Sequence, residues 1–365
     1  MRYPKYLQKN GTIGFLAPSF GCAIEPYKSA FQNALKKWGG MGYGIKLGPN
    51  CYAGEGVGIS NTPEKCGQEV MEMFLDQEAD CLISCGGGEL MCEILPYVDF
   101  DKLAKAEPKW FMGYSDNTNL IFLLATLADT ASVYGPCAAT FGMEPWHESV
   151  ADAFAVLTGE KQKLRGYDLW EKESLKSPEN PYAPYNVTEE RVIRCFWGRD
   201  ELVVGENGYF ADCKLIEQNA GVTNGVLKFS GRLLGGCMDC LVNLLGTRFD
   251  KTKEFVEKYK EDGIIWFLEA CELNVFSIRR AMWQMEEAGW FQYVKGFLIG
   301  RPMNGEAMMG LDVYGAILEV AARKNVPVIM DMDLGHVAPM MPIVVGSLAD
   351  VTVQGNDIEV SMKYQ

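Results

Sequence analysis

Between residue 12 and about residue 157, short wholly apolar runs alternate with segments of helical period, and this alternation limits the fold more than any other feature. "TIGFLAP" and "ADCLISCGGGE" read as buried strands, and "WFMGY" and "ASVYGP" as two more. "YKSAFQNALKKWG" reads as a helix ending in glycine, and "TPEKCGQEVMEMFLD" as a helix capped by Thr62 with Pro63 in its first turn. Strands apolar on every residue, separated by helices, predict a parallel sheet covered on both faces. A second α/β unit follows from residue 228 to 365: "GRLLGGCMDCLVNLLG" reads as a turn and a helix, "GIIWFLEAC", "VKGFLIG" and "VPVIMDMDLGH" as strands, and "DVTVQGNDIEV" as a hairpin. Residues 158–227, rich in Pro, Asn, Tyr and charge, read as a linker and long active-site loop. There Trp170 and Trp197 are candidates to lie over a substrate, or to fasten the loop to the body.

Composition narrows the partners. A formal charge of −14 on 365 residues repels polyanions, which argues against nucleic acid and anionic membranes and for a small or peptidic substrate. No apolar window reaches spanning length, and the N-terminal apolar stretch is too brief for a secretory signal, so a cytoplasmic protein is expected. The twelve cysteines then read as reduced, packed thiols. The one Cys-x-x-Cys pair, Cys237 and Cys240, lacks the second pair or the two nearby histidines a structural zinc needs, so no metal is expected. "GGMGYG" at 39–44 follows a helix and lacks dinucleotide spacing, and no P-loop occurs, so no cofactor is expected.

The chemistry-bearing residues lie where predicted strands end. Ser115 sits on a strand-to-helix turn in "WFMGYSDNT", a geometry that lifts a hydroxyl clear of the sheet and sets helix N–H groups beside it. Only the first glycine of a Gly-x-Ser-x-Gly elbow is present, since Asn117 replaces the second; Ser115 or Asp116 as a simple helix cap is the competing reading. A serine nucleophile needs a base. Of the two histidines, His336 follows a strand and a glycine, whereas His147 lies in a Pro- and Glu-flanked loop that reads as surface. The acid that orients the base is Glu269, at the end of "IIWFLE", with Glu272 as its rival. "SCGGGE" supplies Gly87 or Gly88 as one oxyanion donor, with the Asp116 N–H as the other.

"IGFLAPS", "GGGELMCEILPYVDF", "FMGYSDNT", "YGP", "GRLLGGCMDCLVNLLGT", "WFLEACE" and "LGHVAPMMPIVVG", in this order, resemble the serine peptidase family that contains murein LD-carboxypeptidase and the microcin C self-immunity hydrolase. The resemblance implies a Ser115–Glu269–His336 triad on an N-terminal three-layer α/β/α nucleophile domain, similar to the glutamine amidotransferase fold, over residues 1–157. It also implies a C-terminal swivelling β/α domain, no metal and a homodimer. Expected substrates are muropeptides ending in a D-amino acid, or peptidyl adenylates such as processed microcin C. Ile278-Arg279-Arg280 departs from the Ile-Asp-Arg of the family. A conventional α/β-hydrolase and a non-catalytic binding paralogue of the same fold are the rival readings.

Overall fold

The computed structural model describes residues 1–205, 208–211, 222–223 and 225–364. The first sheet contains β1 (Thr12–Leu16), β2 (Gly44–Leu47), β3 (Cys81–Ser84), β4 (Trp110–Gly113) and β5 (Ser132–Tyr134), all parallel, in the order β5-β4-β3-β1-β2. Every residue of β3 and β4 is buried, as a strand covered on both faces requires. Helices α1 (Tyr27–Gly40), α2 (Pro63–Leu75), α3 (Phe100–Lys105), α4 (Thr118–Thr126) and α5 (Glu148–Thr158) follow the strands in turn. α1 buries Ala30, Phe31, Ala34 and Trp38, one helical face. Thr62 caps α2 by accepting from the Lys65 N–H, with Pro63 at the first position.

Residues 158–227 are only partly a connector. They form the β6 strand (Lys163–Arg165), a hairpin of β7 (Leu169–Glu171) and β8 (Val187–Glu190), β9 (Arg194–Trp197), β10 (Asp200–Glu201) and β11 (Val222–Thr223). Residues 206–207, 212–221 and 224 of this expected loop lie outside the described residues. The second sheet is completed by β12 (Val226–Cys237), β13 (Ile264–Glu269), β14 (Val294–Gly300), β15 (Pro327–Met332) and, beyond a strand β16 (Ile343–Val345), by β17 (Leu348–Gln354) and β18 (Asp357–Lys363). Its order is β10-β9-β15-β14-β13-β12-β17-β18-β6, with β11 beside β12. The four central strands are parallel and the flanking ones antiparallel. The expected hairpin at the end of the chain is β17–β18.

A second expectation is corrected. "GRLLGGC" is not a turn but the end of β12, and the helix α6 (Met238–Leu244) begins only after it. Gly235 and Gly236 adopt φ +152° and +144°, and a Cβ on Gly235 would lie 1.7 Å from the Phe267 carbonyl oxygen. These glycines let β12 run flush against β13. Helices α7 (Thr252–Lys258), α8 (Val275–Glu287) and α9 (Val313–Ala321) connect the remaining strands.

The two sheets share chain. β16, from the far C-terminal region, pairs antiparallel with β5 at the edge of the first sheet. Cys237 at the end of β12 donates its N–H to Thr118 Oγ1 on α4 at 3.0 Å. The carboxyl ends of β4, β13 and β15 thereby converge on one cleft. No helix among the described residues is long and apolar enough to cross a membrane.

Candidate active site

Ser115 follows β4 through Tyr114 and opens the 3-10 turn Ser115–Asn117 that leads into α4. Its φ of +62° is a left-handed conformation that a non-glycine residue adopts only at a cost. Asn117, which stands where the elbow has its second glycine, donates through Nδ2 to Gly86 O at 2.8 Å and Tyr114 O at 3.1 Å. Gly113 is needed because a Cβ there would lie 2.9 Å from Asn117 Cγ. The turn is thus held by a side-chain clamp in place of a second glycine.

His336 reaches Ser115 from the loop after β15. Its Nε2 lies 2.8 Å from Ser115 Oγ, and its Nδ1 lies 2.8 Å from Glu269 Oε2. Glu269 ends β13 and is 1% exposed. The glycine before the histidine has a double cause: Gly335 has φ +88°, and a Cβ there would lie 2.3 Å from Glu269 Oε2. Burial pushes the Glu269 carboxyl up, but the facing His336 charge and hydrogen bonds from His336 and Tyr134 outweigh it and hold its pKa below the usual value. Burial lowers His336 in turn, and the Glu269 charge, with hydrogen bonds to Cys271 and Glu269, more than reverses that, so the imidazole is more basic than usual.

The structure brings together the three residues expected from the sequence and separates their rivals. Glu272 is exposed at the rim of the cleft and does not meet His336. His147 was expected at the surface; it is instead the half-buried cap of α5, its Nδ1 accepting from the Ser149 N–H and its ring packing on Tyr167 and Tyr185.

Gly87 and Gly88 lie beside the serine turn. A Cβ on Gly87 would lie 3.1 Å from Ser115 Cβ, whereas one on Gly88 would meet Ser19 Oγ. The Asp116 N–H is in the first turn ahead of α4, where backbone donors have no partner within the helix. Trp170 and Trp197 are placed elsewhere. Trp170 donates to Glu190 O at 3.1 Å and lies under Arg301, and Trp197 donates to Asn325 Oδ1 at 2.8 Å. Neither lines the cavities that open on Ser115. Both fasten strands, the second of the two readings given above.

Tyr134 and Asp239 escaped the sequence reading, and so did the role of the Asp116 carboxylate. Tyr134, ending β5, donates to Glu269 Oε1 at 2.5 Å and accepts from the Ser115 N–H at 3.3 Å. The Asp116 carboxylate accepts from Ser19 Oγ at 2.6 Å, Met91 N at 2.9 Å and Asn119 Nδ2 at 3.0 Å, and burial lifts its pKa to about 6. Asp239, inside the Cys-x-x-Cys pair, accepts from the N–H groups of Cys271, Glu272 and Leu273 and so fixes the loop after Glu269. Cys237 Sγ comes within 4.8 Å of a Glu269 oxygen and a His336 nitrogen, but the hydrogen bonds of the serine, histidine and glutamate already account for the latter two. Arg279 is turned away, donating to Gly315 O and pairing with Glu319.

Two α/β units thus set a serine on a strained strand-to-helix turn against a histidine and a glutamate from the facing unit. The chain belongs to the LD-carboxypeptidase family, peptidase family S66: its N-terminal domain matches residues 13–135 and its C-terminal domain residues 230–351. It is 24% identical to the microcin C7 self-immunity protein MccF of Escherichia coli over 97% of this chain and 94% of that one. It is 23% identical to a probable murein peptide carboxypeptidase of Bacillus subtilis over 95% and 90% of the two chains. The fold superposes on an MccF-like protein from Bacillus anthracis with a TM-score of 0.78 at 21% identity, covering 100% of both chains. On MccF in complex with aspartyl sulfamoyl adenosine, the TM-score is 0.74 at 20% identity, covering 99% and 98%.

Proposed function

We propose that the protein is a serine-type carboxypeptidase or amide hydrolase in which Ser115 is the nucleophile, His336 its base and Glu269 the group that orients the base. Ser115 Oγ bonds to the substrate carbonyl carbon while His336 Nε2 takes the hydroxyl proton. The C–N bond then breaks, and the same proton passes from Nε2 to the leaving nitrogen. Water reverses the sequence to free the acid. The Gly87 and Asp116 amides, flanking Ser115, receive the developing oxyanion. The observation that carries this reading is the unbroken run from Ser115 Oγ through the imidazole to Glu269, 2.8 Å at each step.

The substrates this reading admits are muropeptides with a terminal D-amino acid on an L,D bond, and peptidyl or aminoacyl adenylates. The first class is supported by the murein carboxypeptidase relative, the second by the fold likeness to MccF, whose structures hold sulfamoyl nucleosides. We further propose a homodimer in the cytoplasm. The dimer rests on the family resemblance; the compartment agrees with the eleven unpaired cysteines among the described residues. Mass spectrometry on a tetrapeptide muropeptide and an aminoacyl sulfamoyl adenosine, with Ser115→Ala alongside, tests the function. Release of D-alanine marks a cell-wall carboxypeptidase, and cleavage of the adenosine derivative alone an immunity-type hydrolase. No serine-dependent cleavage of either overturns the proposal.

A further inference from the structure

The one Cys-x-x-Cys pair of the chain has no part in the reaction described above, yet both its residues line the cavity of about 450 Å³ that opens on Ser115. Cys237 is the N-cap of α6 and Cys240 the third residue of that helix. Side chains at these two positions face each other across the first turn, as in a capping box. Here the two thiols are hydrogen-bonded to each other. From that contact, a short approach of the two sulfurs closes the roughly 2.0 Å of an S–S bond.

Each thiol also touches a group of the active site. Cys240 Sγ donates to Ser115 O at 3.6 Å. Cys237 Sγ donates to Asp239 Oδ2 at 3.3 Å and lies within hydrogen-bond reach of Glu269. Asp239 in turn accepts from the N–H groups of Cys271, Glu272 and Leu273, in the loop that follows Glu269. The protons on the two sulfurs are therefore part of what holds Ser115 and Glu269 in place, and a disulfide has neither proton. The pair is unequal: Cys240 is 8% exposed and Cys237 2%. The hydrogen bond between them, together with burial, holds the Cys237 thiol well above its usual pKa. The same bond lowers that of Cys240, although burial and the Asp116 and Asp239 charges leave it raised. Cys240 is thus the thiol that meets solvent and ionises first.

We propose that Cys237 and Cys240 are a reversible oxidation site that slows the reaction at Ser115 when hydrogen peroxide joins them as a disulfide. Cys240 Sγ attacks the O–O bond of the peroxide and becomes a sulfenic acid, releasing water. Cys237 Sγ then attacks the Cys240 sulfur, the S–O bond breaks, and a second water leaves with the Cys237 proton. Two thiols and one hydrogen peroxide become one disulfide and two waters, and a dithiol such as dithiothreitol restores both thiols by exchange. In a reducing compartment the pair rests as thiols. The S–S bond does not depend on the serine-hydrolase reading above; its effect on rate does.

Trypsin releases residues 233–248 as one peptide that contains Cys237 and Cys240 and no other cysteine. The test treats the full-length protein with hydrogen peroxide, or with peroxide and then dithiothreitol. The samples are denatured, alkylated with iodoacetamide, digested and mapped, and hydrolysis of the muropeptide and the aminoacyl sulfamoyl adenosine is measured in parallel. The expected peptide carries no alkyl group after peroxide and two after dithiothreitol. Hydrolysis should fall about tenfold with peroxide, the scale of losing one hydrogen bond to a buried carboxylate, and return with dithiothreitol. Cys240→Ser keeps a hydroxyl donor for Ser115 O and leaves Cys237 without a partner, so peroxide should leave its rate near its own untreated value. Two alkyl groups on the peptide under peroxide that oxidises other cysteines, or a bond from Cys237 to Cys271, overturns the site. Protection removed by a chelator instead of dithiothreitol marks a bound metal and also overturns it. A disulfide with no change in rate overturns the link to Glu269 and leaves the hydrolase reading intact. A disulfide in a protein that hydrolyses neither substrate when reduced overturns the hydrolase reading and leaves the oxidation site.

Discussion

The Tyr134 hydroxyl donates to Glu269 Oε1 at 2.5 Å while accepting from the Ser115 N–H at 3.3 Å. One side chain at the end of β5 thus ties the Ser115 backbone to the Glu269 carboxylate of the facing sheet. Its ring is fully buried, packed edge-on to Tyr114 and tilted against Phe267. Tyr134→Phe keeps that packing and removes only the hydroxyl. It should lower kcat about 10- to 100-fold with little change in KM, since a poorly held acid affects the transition state more than binding. The unsatisfied carboxylate should also cost about 1–3 kcal/mol of stability. Steady-state kinetics and urea unfolding read the two effects.

Glu269→Gln leaves the geometry nearly unchanged but offers His336 an amide in place of a charge. Loss of the carboxylate that holds the tautomer and stabilises the imidazolium should lower kcat by about 10³- to 10⁴-fold. A variant within tenfold of wild type on the preferred substrate would remove Glu269 from the reaction.

The pH profile has a definite sign. His336 must be neutral to take the serine proton, and its pKa is raised above the 6.5 of an unperturbed imidazole. The ascending limb of kcat/KM therefore lies above pH 6.5, and activity grows as pH rises into the alkaline range. Glu269→Gln removes the charge that raises the imidazole, so its limb shifts to lower pH. A wild-type limb below pH 6.5, or one that does not move in the variant, contradicts the pairing.

Gly335→Ala puts a Cβ where Glu269 Oε2 stands, at a backbone φ of +88°. The strain should cost about 1–3 kcal/mol, and the displaced carboxylate should abolish most activity. Thermal melts and kcat on the same preparation check both. Gly87→Ala is the milder companion, because its Cβ would sit 3.1 Å from Ser115 Cβ. It should lower kcat about 10²-fold, by pushing the Ser115 side chain and the Gly87 N–H out of line with each other, with the fold retained.

Much of this arrangement is legible along the chain because its three central residues stand where largely apolar strands stop. Ser115 follows "WFMG", Glu269 ends "IIWFLE", and His336 comes four residues after β15. In a parallel sheet such ends share one edge. The supporting contacts are not legible in that way, since Tyr134 and Glu269 are 135 positions apart and lie on strands of different sheets, β5 and β13. Asp239 was hidden by the two cysteines around it, which drew attention to metal binding while the aspartate capped the Glu269 loop. "GRLLGGC" looked like a turn because glycine usually marks one, yet here the missing Cβ allows β12 to lie against Phe267. His147 looked exposed among Pro and Glu, but a histidine can cap a helix, and the aromatic rings around it come from residues 167 and 185. Neither the composition of the loop nor a family resemblance without a residue-level match says which way the Trp170 and Trp197 rings face.

The central claim is that the Ser115 hydroxyl attacks the substrate. Labelling the full-length protein with a fluorophosphonate, followed by peptide mapping, tests this most directly. The account predicts a single phosphonyl adduct on Ser115, lost in Ser115→Ala and slowed strongly in His336→Ala, with hydrolysis lost in parallel. An adduct on another residue, or hydrolysis that survives in Ser115→Ala, would contradict it.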